Sequence, residues 1–259
     1  MIKPVSFHIK ALDAMQRYPK ELYYKGNEIL LHKRKVSIVG TRKPLYSTKV
    51  LTQQLAYGLS QAGICIISGG ALGVDAIAHA SAGVNNTIMV SPTGLDIIYP
   101  ATNRTLIRNI QEHGLVLSMF ESDFKATPWS FVARNEMVVA LSEILIVTQA
   151  DQNSGSIRSV EFALKMGKKV YVLPHRIGES EGTNMLLKNN LAEAIYDIEA
   201  FIDFLVPKRK KENISDDFLE YCKQHPLYDD AVFKYNNKVF EYELQGKIEV
   251  KHGRINLLT

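Results

Sequence analysis

Short runs of apolar and β-branched residues alternate along the middle of the chain with segments of helical periodicity. These runs show little polar alternation, which is typical of parallel strands that are buried on both faces of a sheet. Strands that alternate with helices indicate repeated βα units, so we expect an α/β domain with a parallel sheet and helices on both faces. The predicted strands are Val36–Val39, Ile64–Ser68, Thr87–Ser91, Leu115–Ser118, Glu143–Thr148 and Lys169–Leu173.

Glycines and capping residues mark where the helices between these strands begin and end. Ser47 is predicted to cap a helix that runs to Gln61, Gly73 to lead into a helix at Val74–Ala82, and Ser154 to cap a helix at Ser156–Met166. Gly63, Gly83 and Gly167 follow the last turns of these helices. A final short unit is predicted with a helix at Thr183–Asn189, a weak strand at Ala194–Tyr196 and a helix near Ile198–Leu205.

A basic segment at residues 207–214 predicts an exposed linker between two domains. Beyond it, we expect a small winged-helix-like α+β module over residues 215–259, and residues 1–35 are expected to be a short lead-in with one helix. The main domain is then residues 36–206. The predicted elements of the small module are helices at Ser215–Gln224, Tyr228–Phe233 and Val239–Leu244 and a hairpin of Lys247–Val250 with Arg254–Leu258.

The formal net charge of +4 is distributed unevenly along the chain. Residues 1–35 hold eight Lys or Arg against three Asp or Glu, whereas residues 36–206 hold thirteen against fifteen. If the main domain binds nucleic acid, it therefore needs a local basic pocket and not a general positive field. The last 46 residues hold six basic against eight acidic side chains, so the small module is disfavoured as the main contact for any nucleic acid.

The composition excludes several other classes of protein. No run approaches 18 consecutive apolar residues and the N-terminus has no apolar signal segment, so we expect a cytoplasmic protein without a membrane segment. The two cysteines, Cys65 and Cys222, are too far apart in sequence to suggest a disulfide framework or a zinc site.

Three loops of unusual composition follow predicted strands. Ligands of parallel sheets bind beyond the carboxyl ends of the strands, and glycine with free N–H groups at a helix start favours anions. The three loops therefore favour a phosphate-bearing ligand. They are Gly40-Thr41-Arg42-Lys43-Pro44, Ser68-Gly69-Gly70-Ala71-Leu72-Gly73 and Asn153-Ser154-Gly155-Ser156.

The familiar nucleotide-binding and catalytic motifs do not match this sequence. Neither a P-loop nor the Gly-x-Gly-x-x-Gly spacing of dinucleotide-binding proteins is present, so we expect no cofactor. Asp75 and His79 lie four residues apart, but we interpret Asp75 as a carboxylate favoured in a first helical turn and His79 as a packed histidine. No cluster has the spacing of metal ligands.

The composition of the segment from Pro128 to Met137 is typical of a site that binds single-stranded nucleic acid. It places Trp129 and Phe131 on a predicted loop and the pair Arg134-Asn135 at the start of a predicted helix. Aromatic rings stack on unpaired bases while arginine holds the backbone. The alternative is that both aromatics fill the edge of the core.

Several motifs, in the same order along the chain, resemble those of the DNA-processing protein A family, also called DprA or Smf, over residues 36–206. This resemblance implies an extended Rossmann-like domain that binds single-stranded DNA without catalysis. It also implies a homodimer that protects incoming DNA and helps to load the RecA recombinase during natural transformation. The motifs are Val36–Arg42, Ser68–Asp75 with Ala78-His79, Asp96 with Tyr99-Pro100 and Asn103, Phe131–Asn135, and Asn153–Ser156.

The same resemblance implies roles for particular residues. Arg42 matches the pocket arginine of the family, and Phe131 matches an aromatic that contacts bases. Lys165 matches a basic position used in some members, and Asn103-Arg104 follow the Tyr-Pro motif near another such position. The complete set of predicted DNA contacts is Gly40, Thr41, Arg42, Ser68, Gly69, Gly70, Asn103, Arg104, Phe131, Arg134, Asn135, Asn153, Ser154, Gly155, Ser156 and Lys165.

An enzyme of the nucleoside-monophosphate phosphoribohydrolase type is the alternative hypothesis, since such enzymes use a related sheet. They need a Pro-Gly-Gly-x-Gly-Thr loop and a downstream glutamate, whereas this chain has Ser68-Gly69-Gly70 without Gly-Thr.

Overall fold

The computed structural model describes residues 1–206, 217–244 and 246–258. The chain divides into two compact units, Met1–Val206 and Pro207–Thr259. The predicted linker at residues 207–214 lies outside the described residues.

Within residues 1–206, nine strands form one sheet in the order β1-β2-β6-β5-β4-β3-β7-β8-β9. The strands from β3 to β9 pair in parallel, and β1 and β2 add two antiparallel strands beside β6. The prediction of a parallel α/β sheet is therefore confirmed. The strands are β1 (Lys3–Pro4), β2 (Tyr23–Gly26), β3 (Lys35–Val39), β4 (Cys65–Ser68), β5 (Thr87–Val90), β6 (Leu115–Ser118), β7 (Ile144–Val147), β8 (Val170–Val172) and β9 (Glu193–Ala194).

Helices cover both faces of this sheet. The helices of this unit are α1 (Tyr46–Gln61), α2 (Val74–Ala82), α3 (Arg104–His113), α4 (Pro128–Ala140), α5 (Gly155–Lys165), α6 (Glu181–Lys188) and α7 (Ile198–Leu205). Residues of α1, α2 and α7 share one buried core with Ile38, and residues of α4, α5 and α6 share another with Val39. Neighbouring residues of β3 thus point to opposite faces, and both faces are apolar, as expected for a central parallel strand.

The sequence prediction omitted one helix and differs from the structure at the starts of several others, of which α1 and α4 matter most for the site. α3 packs Ile107 and Ile110 against the sheet, a pattern that polar neighbours obscure in the sequence. α1 begins at Tyr46 after Leu45, so Ser47 is not its cap. α4 begins at Pro128, so the aromatic segment predicted as a loop is helical.

Residues 1–35 are part of the first unit, and the expectation of a short lead-in with one helix is wrong. They contribute β1, β2 and two short 3₁₀ turns, Lys10–Ala14 and Glu28–His32. Leu12 and Leu30 are buried in the same core as α4. Local patterning did not indicate this because β2 is stabilised by antiparallel pairing with β6, about 90 residues further along the chain.

The strand order reverses between β3 and β7. From β3 the chain proceeds to β4, β5 and β6 on one side, and then crosses to β7, β8 and β9 on the other. At such a switch point the loops after the two central strands diverge and leave a crevice. The fold therefore predicts a ligand site where the loops after Val39 and Val147 separate.

The described part of the second unit holds three helices and an antiparallel hairpin, close to the predicted positions. The elements are α8 (Asp217–Cys222), α9 (Tyr228–Tyr235), α10 (Asn237–Leu244), β10 (Ile248–Lys251) and β11 (Arg254–Leu257). They enclose a small core of their own around Phe218, Val239 and Ile255. The winged-helix-like character of this unit stays a prediction.

Two kinds of feature are absent from the residues that the structure describes. None of the helices described is both long and apolar enough to span a membrane. In the same residues, no group of three or more His, Cys, Asp or Glu side chains is placed to hold a metal ion.

Candidate functional site

A cavity of about 480 Å³ lies at the switch point, beyond the carboxyl ends of β3 and β7. The three predicted loops and one face of α4 line it. The cavity therefore brings together ten of the predicted contact residues, which are Gly40, Thr41, Arg42, Gly69, Phe131, Arg134, Asn135, Ser154, Gly155 and Ser156.

The loop after β3 is tied by its backbone to both neighbouring elements. Thr41 N–H donates to the Gln149 carbonyl at 2.8 Å, and the Thr41 carbonyl accepts from Val74 N–H at 3.2 Å. Gln149 Oε1 also accepts from Leu45 N–H at 2.9 Å. The loop that carries Arg42 is therefore held against the end of β7 and the start of α2, and its position is set before any ligand binds.

Arg42 and Lys43 extend from this fixed loop into solvent and border the cavity. Among the residues that the structure describes, no hydrogen bond or ion pair engages the Arg42 guanidinium. An exposed guanidinium without a protein partner keeps its donors available for a phosphate, which it can bind in a bidentate manner.

The start of α5 forms the opposite wall. The Ser154 side chain caps the helix by accepting from Ile157 N–H at 3.4 Å, which confirms the predicted cap. The first N–H groups of a helix have no partner within it, and their partial positive charge attracts anions. Asn135 Nδ2 donates to the Gly155 carbonyl at 3.3 Å and so joins α4 to this wall.

Beneath the loop after β4 lies a buried polar cluster of Arg134, Asp75 and Gly69. Arg134 is 5% exposed and donates through Nη1 to the Gly69 carbonyl, while its Nε has no hydrogen-bond partner. Asp75 accepts from Gly69 N–H at 3.2 Å and from Ala71 N–H at 3.3 Å. A Cβ at Gly69 would collide with the Arg134 guanidinium, so only glycine permits this close approach.

Burial changes the titration of this cluster. It raises the pKa of the Asp75 carboxyl, an effect that the nearby Arg134 and the Ala71 and Gly69 N–H groups oppose, and it lowers the pKa of Arg134. Burial, together with the charge of Arg134, lowers the pKa of His79 to about 3. His79 is therefore a neutral, packed histidine, as the sequence predicted.

Phe131 lies on the first turns of α4 and faces the cavity. Its ring centroid is 5.5 Å from that of Tyr99, at an interplanar angle of 61°, and 5.8 Å from Cζ of Arg134. Trp129 instead meets Phe120 and Phe124 edge to face, with centroids 5.3 and 5.7 Å away, and remains 58% exposed. The two aromatics of the segment therefore have different surroundings, and Phe131 is the one that borders the cavity.

Six of the predicted contact residues do not line the cavity. They are Ser68, Gly70, Asn103, Arg104, Asn153 and Lys165. The Ser68 hydroxyl is buried and donates to the Ile38 carbonyl at 2.6 Å. Asn103 Nδ2 donates to the Gly70 and Ala71 carbonyls at 3.0 and 3.2 Å, so it holds the glycine loop from outside. Lys165 is exposed at the end of α5.

Five polar residues of the cavity were absent from the predicted set of contacts. Lys43 adjoins Arg42, Gln149 and Asp151 follow β7, and Asp75 and Ser159 lie on α2 and α5. For Lys43, Gln149 and Asp151, the position just after a central strand was the signal in the sequence, but their side-chain types are common in loops. With Arg42, Lys43 and Arg134 against Asp75 and Asp151, the cavity carries a small excess of positive charge.

The chain is similar to known proteins over most of its first unit. The model of the family described as DNA recombination-mediator protein A matches residues 6–206. Protein Smf of Synechocystis is 37% identical over 187 residues, which are 68% of this chain and 46% of that protein. DNA processing protein DprA of Bacillus subtilis is 34% identical over 195 residues, which are 74% of this chain and 65% of that protein.

A solved structure of DNA processing protein A from Helicobacter pylori superposes with a TM-score of 0.78 and 45% identity, and covers 79% of this chain and 95% of that chain. That protein is described as having a single-stranded DNA binding mode. The present chain spans about half to two thirds of the length of the two curated relatives. The family match, which extends over most of the first unit, and the shared fold lead to one conclusion: the chain belongs to the DNA recombination-mediator protein A family, the DprA or Smf family.

Proposed function

We propose that this protein binds single-stranded DNA in the switch-point cavity, without catalysis, and takes part in DNA processing and recombination during natural transformation. The single observation that supports this most strongly is the convergence of three phosphate-compatible loops, two exposed cations and Phe131 on one cavity. The described binding mode of the Helicobacter pylori relative, at 45% identity, supports the same ligand.

Affinity in this proposal comes from a few local contacts. The first unit holds twenty-one Lys or Arg against eighteen Asp or Glu, so its general field is weak. Arg42 would then act as the main anchor for phosphates, which carry no sequence information, and Phe131 would stack on bases without selecting one.

The test is a salt titration of binding to a dye-labelled oligothymidylate by the full chain and by Arg42→Ala. Loss of a charge-assisted hydrogen bond should weaken binding roughly ten- to a hundred-fold, as expected for about 1.5–3 kcal/mol. The slope of log K against log salt should fall by about 0.7 for one lost phosphate contact. A duplex of the same length should bind more weakly than the single strand.

Arg108→Ala is the matched control, because Arg108 is an exposed arginine on α3 that does not line the cavity. It should bind as the unmodified chain does. A folded Arg42→Ala protein with unchanged affinity and slope would remove Arg42 from the site, and equal binding of duplex and single strand would contradict the choice of ligand.

The proposal also includes a homodimer, a cytoplasmic location and help in loading RecA onto DNA. The family's description as a recombination mediator supports the last of these. Strand exchange by RecA on DNA covered with single-strand-binding protein should be faster when the chain is added. No acceleration by a chain that binds the DNA would refute the loading role, and release of adenine from adenosine monophosphate would favour the enzyme alternative.

A further inference from the structure

The loop that follows β8, residues 174–180, is joined by hydrogen bonds to the segment that follows β7. We call residues 174–180 the β8 loop. His175 Nε2 is 2.7 Å from the Thr148 carbonyl oxygen, and Gln149 Nε2 donates to the Glu179 carbonyl at 3.4 Å. The β8 loop does not line the switch-point cavity, so it can act on the cavity only through the residues that it holds.

The segment after β7 also holds the loop that carries Arg42. Thr41 N–H donates to the Gln149 carbonyl at 2.8 Å, and Leu45 N–H donates to Gln149 Oε1 at 2.9 Å. Gln149 therefore contacts the β8 loop on one side and the Arg42 loop on the other. A continuous series of contacts thus connects His175, outside the cavity, to the loop that places Arg42 at its border.

The contacts of His175 determine where its proton lies. A carbonyl oxygen only accepts hydrogen bonds, so Nε2 carries the proton that is donated to Thr148. In the neutral ring Nδ1 then has a lone pair and no proton, and it lies 4.0 Å from Oε2 of Glu179. The His175 side chain is 5% exposed and that of Glu179 is 35% exposed. A proton added at Nδ1 therefore places a cation beside a carboxylate that is largely shielded from water.

The charged groups around this ring are few. Glu179 Oε2 also accepts from Arg176 N–H at 3.3 Å, and the Arg176 side chain is exposed. From β7 the ring meets the uncharged Thr148 carbonyl, and Asp151, further along that segment, borders the cavity. Among the residues that the structure describes, Glu179 is the only acidic group within 4.0 Å of a ring nitrogen of His175.

We propose that His175 is a positioning residue for the binding of single-stranded DNA, and that its protonation strengthens this binding. The inference rests on the proposed function and adds a dependence on pH to it. Histidine changes its charge between about pH 5 and 8. With both ring nitrogens protonated, His175 holds Thr148 through Nε2 and Glu179 through Nδ1, so the two segments are joined more firmly. The Arg42 loop then loses less conformational freedom when a strand binds.

The experiment measures the affinity of the full chain for a dye-labelled oligothymidylate at about pH 5.5 and about pH 8, at constant salt. Neither thymine nor the phosphodiester changes its charge between these values, so the comparison reports on the protein. The unmodified chain should bind about two- to five-fold more tightly at the lower pH, the size expected for a partly exposed ion pair. Glu179→Gln and His175→Gln should lose this gain, because the first removes the carboxylate and the second removes the ring that becomes charged.

A second measurement distinguishes positioning from a general effect on the fold. His175→Leu removes the donor to Thr148 and should weaken binding at the higher pH on the order of five-fold, as expected for one hydrogen bond. His175→Gln should not, because its amide can replace the Nε2 donor. In a chain that already carries Arg42→Ala, His175→Leu should cost no further affinity, because changes that act through one group are not additive.

His113→Gln is the matched control. His113 lies at the end of α3, its Nε2 is 3.9 Å from Oε2 of Glu112, and neither residue lines the cavity. This variant should keep the full gain in affinity at the lower pH. Thermal melts at both pH values check folding, and if His175→Leu does not fold, Glu179→Gln and His175→Gln decide the matter.

The outcomes separate this inference from the proposed function. If the chain binds oligothymidylate and Arg42→Ala weakens it, but the unmodified chain shows no gain at the lower pH or either glutamine variant keeps the gain, only the role of His175 is overturned. An equal loss from His175→Leu with and without Arg42 overturns its action through the Arg42 loop. If the unmodified chain does not bind oligothymidylate at all, the proposed function fails and this inference fails with it.

Discussion

At the scale of single residues, the two arginines of the cavity differ in what their surroundings permit. Arg42 is exposed on a loop that other residues hold in place, so its guanidinium is available to a ligand. Arg134 is buried, holds the Gly69 carbonyl and lies near Asp75. The sequence predicted both arginines as DNA contacts. Because Arg134 is buried, its main role is to position the glycine loop.

His79 provides a prediction on acid stability. His79 Nδ1 lies 2.7 Å from Thr87 Oγ1, and the Thr87 hydroxyl donates its proton to the Ile66 carbonyl. Nδ1 must therefore carry the proton and donate to Thr87 Oγ1. Nε2 is buried and has no hydrogen-bond partner among the described residues. Burial lowers its pKa to about 3, whereas an unfolded histidine titrates near pH 6.5. Between these values the unfolded chain binds a proton that the folded chain does not, so the free energy of unfolding falls as the pH falls.

We therefore expect His79→Asn to be less sensitive to acid than the unmodified chain. Between pH 7 and pH 4.5 the free energy of unfolding should fall by about 2–3 kcal/mol less in the variant, at about 1.4 kcal/mol per pKa unit. Urea unfolding at both pH values measures this difference. Asp75 and Arg134 are present in both proteins, so the comparison isolates the effect of His79. If the free energy of unfolding falls equally in both proteins between pH 7 and pH 4.5, His79 is protonated in the folded chain and the prediction is wrong.

At the scale of elements, Lys168 secures the end of α4. Its Nζ donates to the carbonyls of Val139 at 2.9 Å, Ala140 at 2.7 Å and Ser142. The Val139 carbonyl also accepts from the N–H and the hydroxyl of Ser142. Burial lowers the pKa of Lys168 to about 8. This contact lies at the amino edge of the parallel sheet, between the end of α4 and the start of β7, on the side opposite the cavity.

Lys168→Met should therefore lower stability but leave DNA affinity unchanged. Loss of the three hydrogen bonds should reduce the free energy of unfolding by about 1–3 kcal/mol, because the buried Ala140 and Ser142 carbonyls lose this donor. Lys165→Met, at an exposed position three residues earlier at the end of α5, is the stability control and should change the free energy of unfolding by less than about 0.5 kcal/mol. Equal stabilities of the two variants, measured by urea unfolding, would refute the role of Lys168.

At the scale of the whole molecule, the boundary between the two units predicts which truncated proteins fold. Residues 1–206 form one compact unit, in which Leu12 and Leu30 are buried against the core of α4 and β2 covers the edge of β6. A protein of residues 1–206 should unfold cooperatively and bind oligothymidylate as the full chain does, since every residue of the cavity lies within it.

A protein of residues 36–206 should instead be unstable, because it exposes that core surface and the edge of β6. Thermal melts and gel filtration of both truncations, followed by binding of oligothymidylate, test this. A folded 1–206 protein that no longer binds would place the site in the second unit, and a 36–206 protein as stable as 1–206 would show that the N-terminal strands are dispensable.

Much of the architecture could be predicted from local patterns in the sequence. The apolar runs at Ile64–Ser68 and Glu143–Thr148 predicted buried strands, because a parallel strand is recognisable from its own side chains. Ser154 and Gly83 marked helix ends, since capping depends on residues within one turn. The glycine loops after β3 and β4 were likewise visible as candidate phosphate contacts.

Tertiary structure alone decided how these pieces form a site. The pairing of β3 with β7 brings Thr41 to within hydrogen-bonding distance of Gln149, more than 100 residues further along the chain, and so places the first and third loops on one cavity. Arg134 became a buried positioning residue because Gly69, 65 residues earlier, approaches it. Residues 1–35 joined the sheet because β6 offered an edge. Each of these depends on partners that are distant in sequence, and strand order, burial and edge pairing are properties of those partners together and not of any local run of residues.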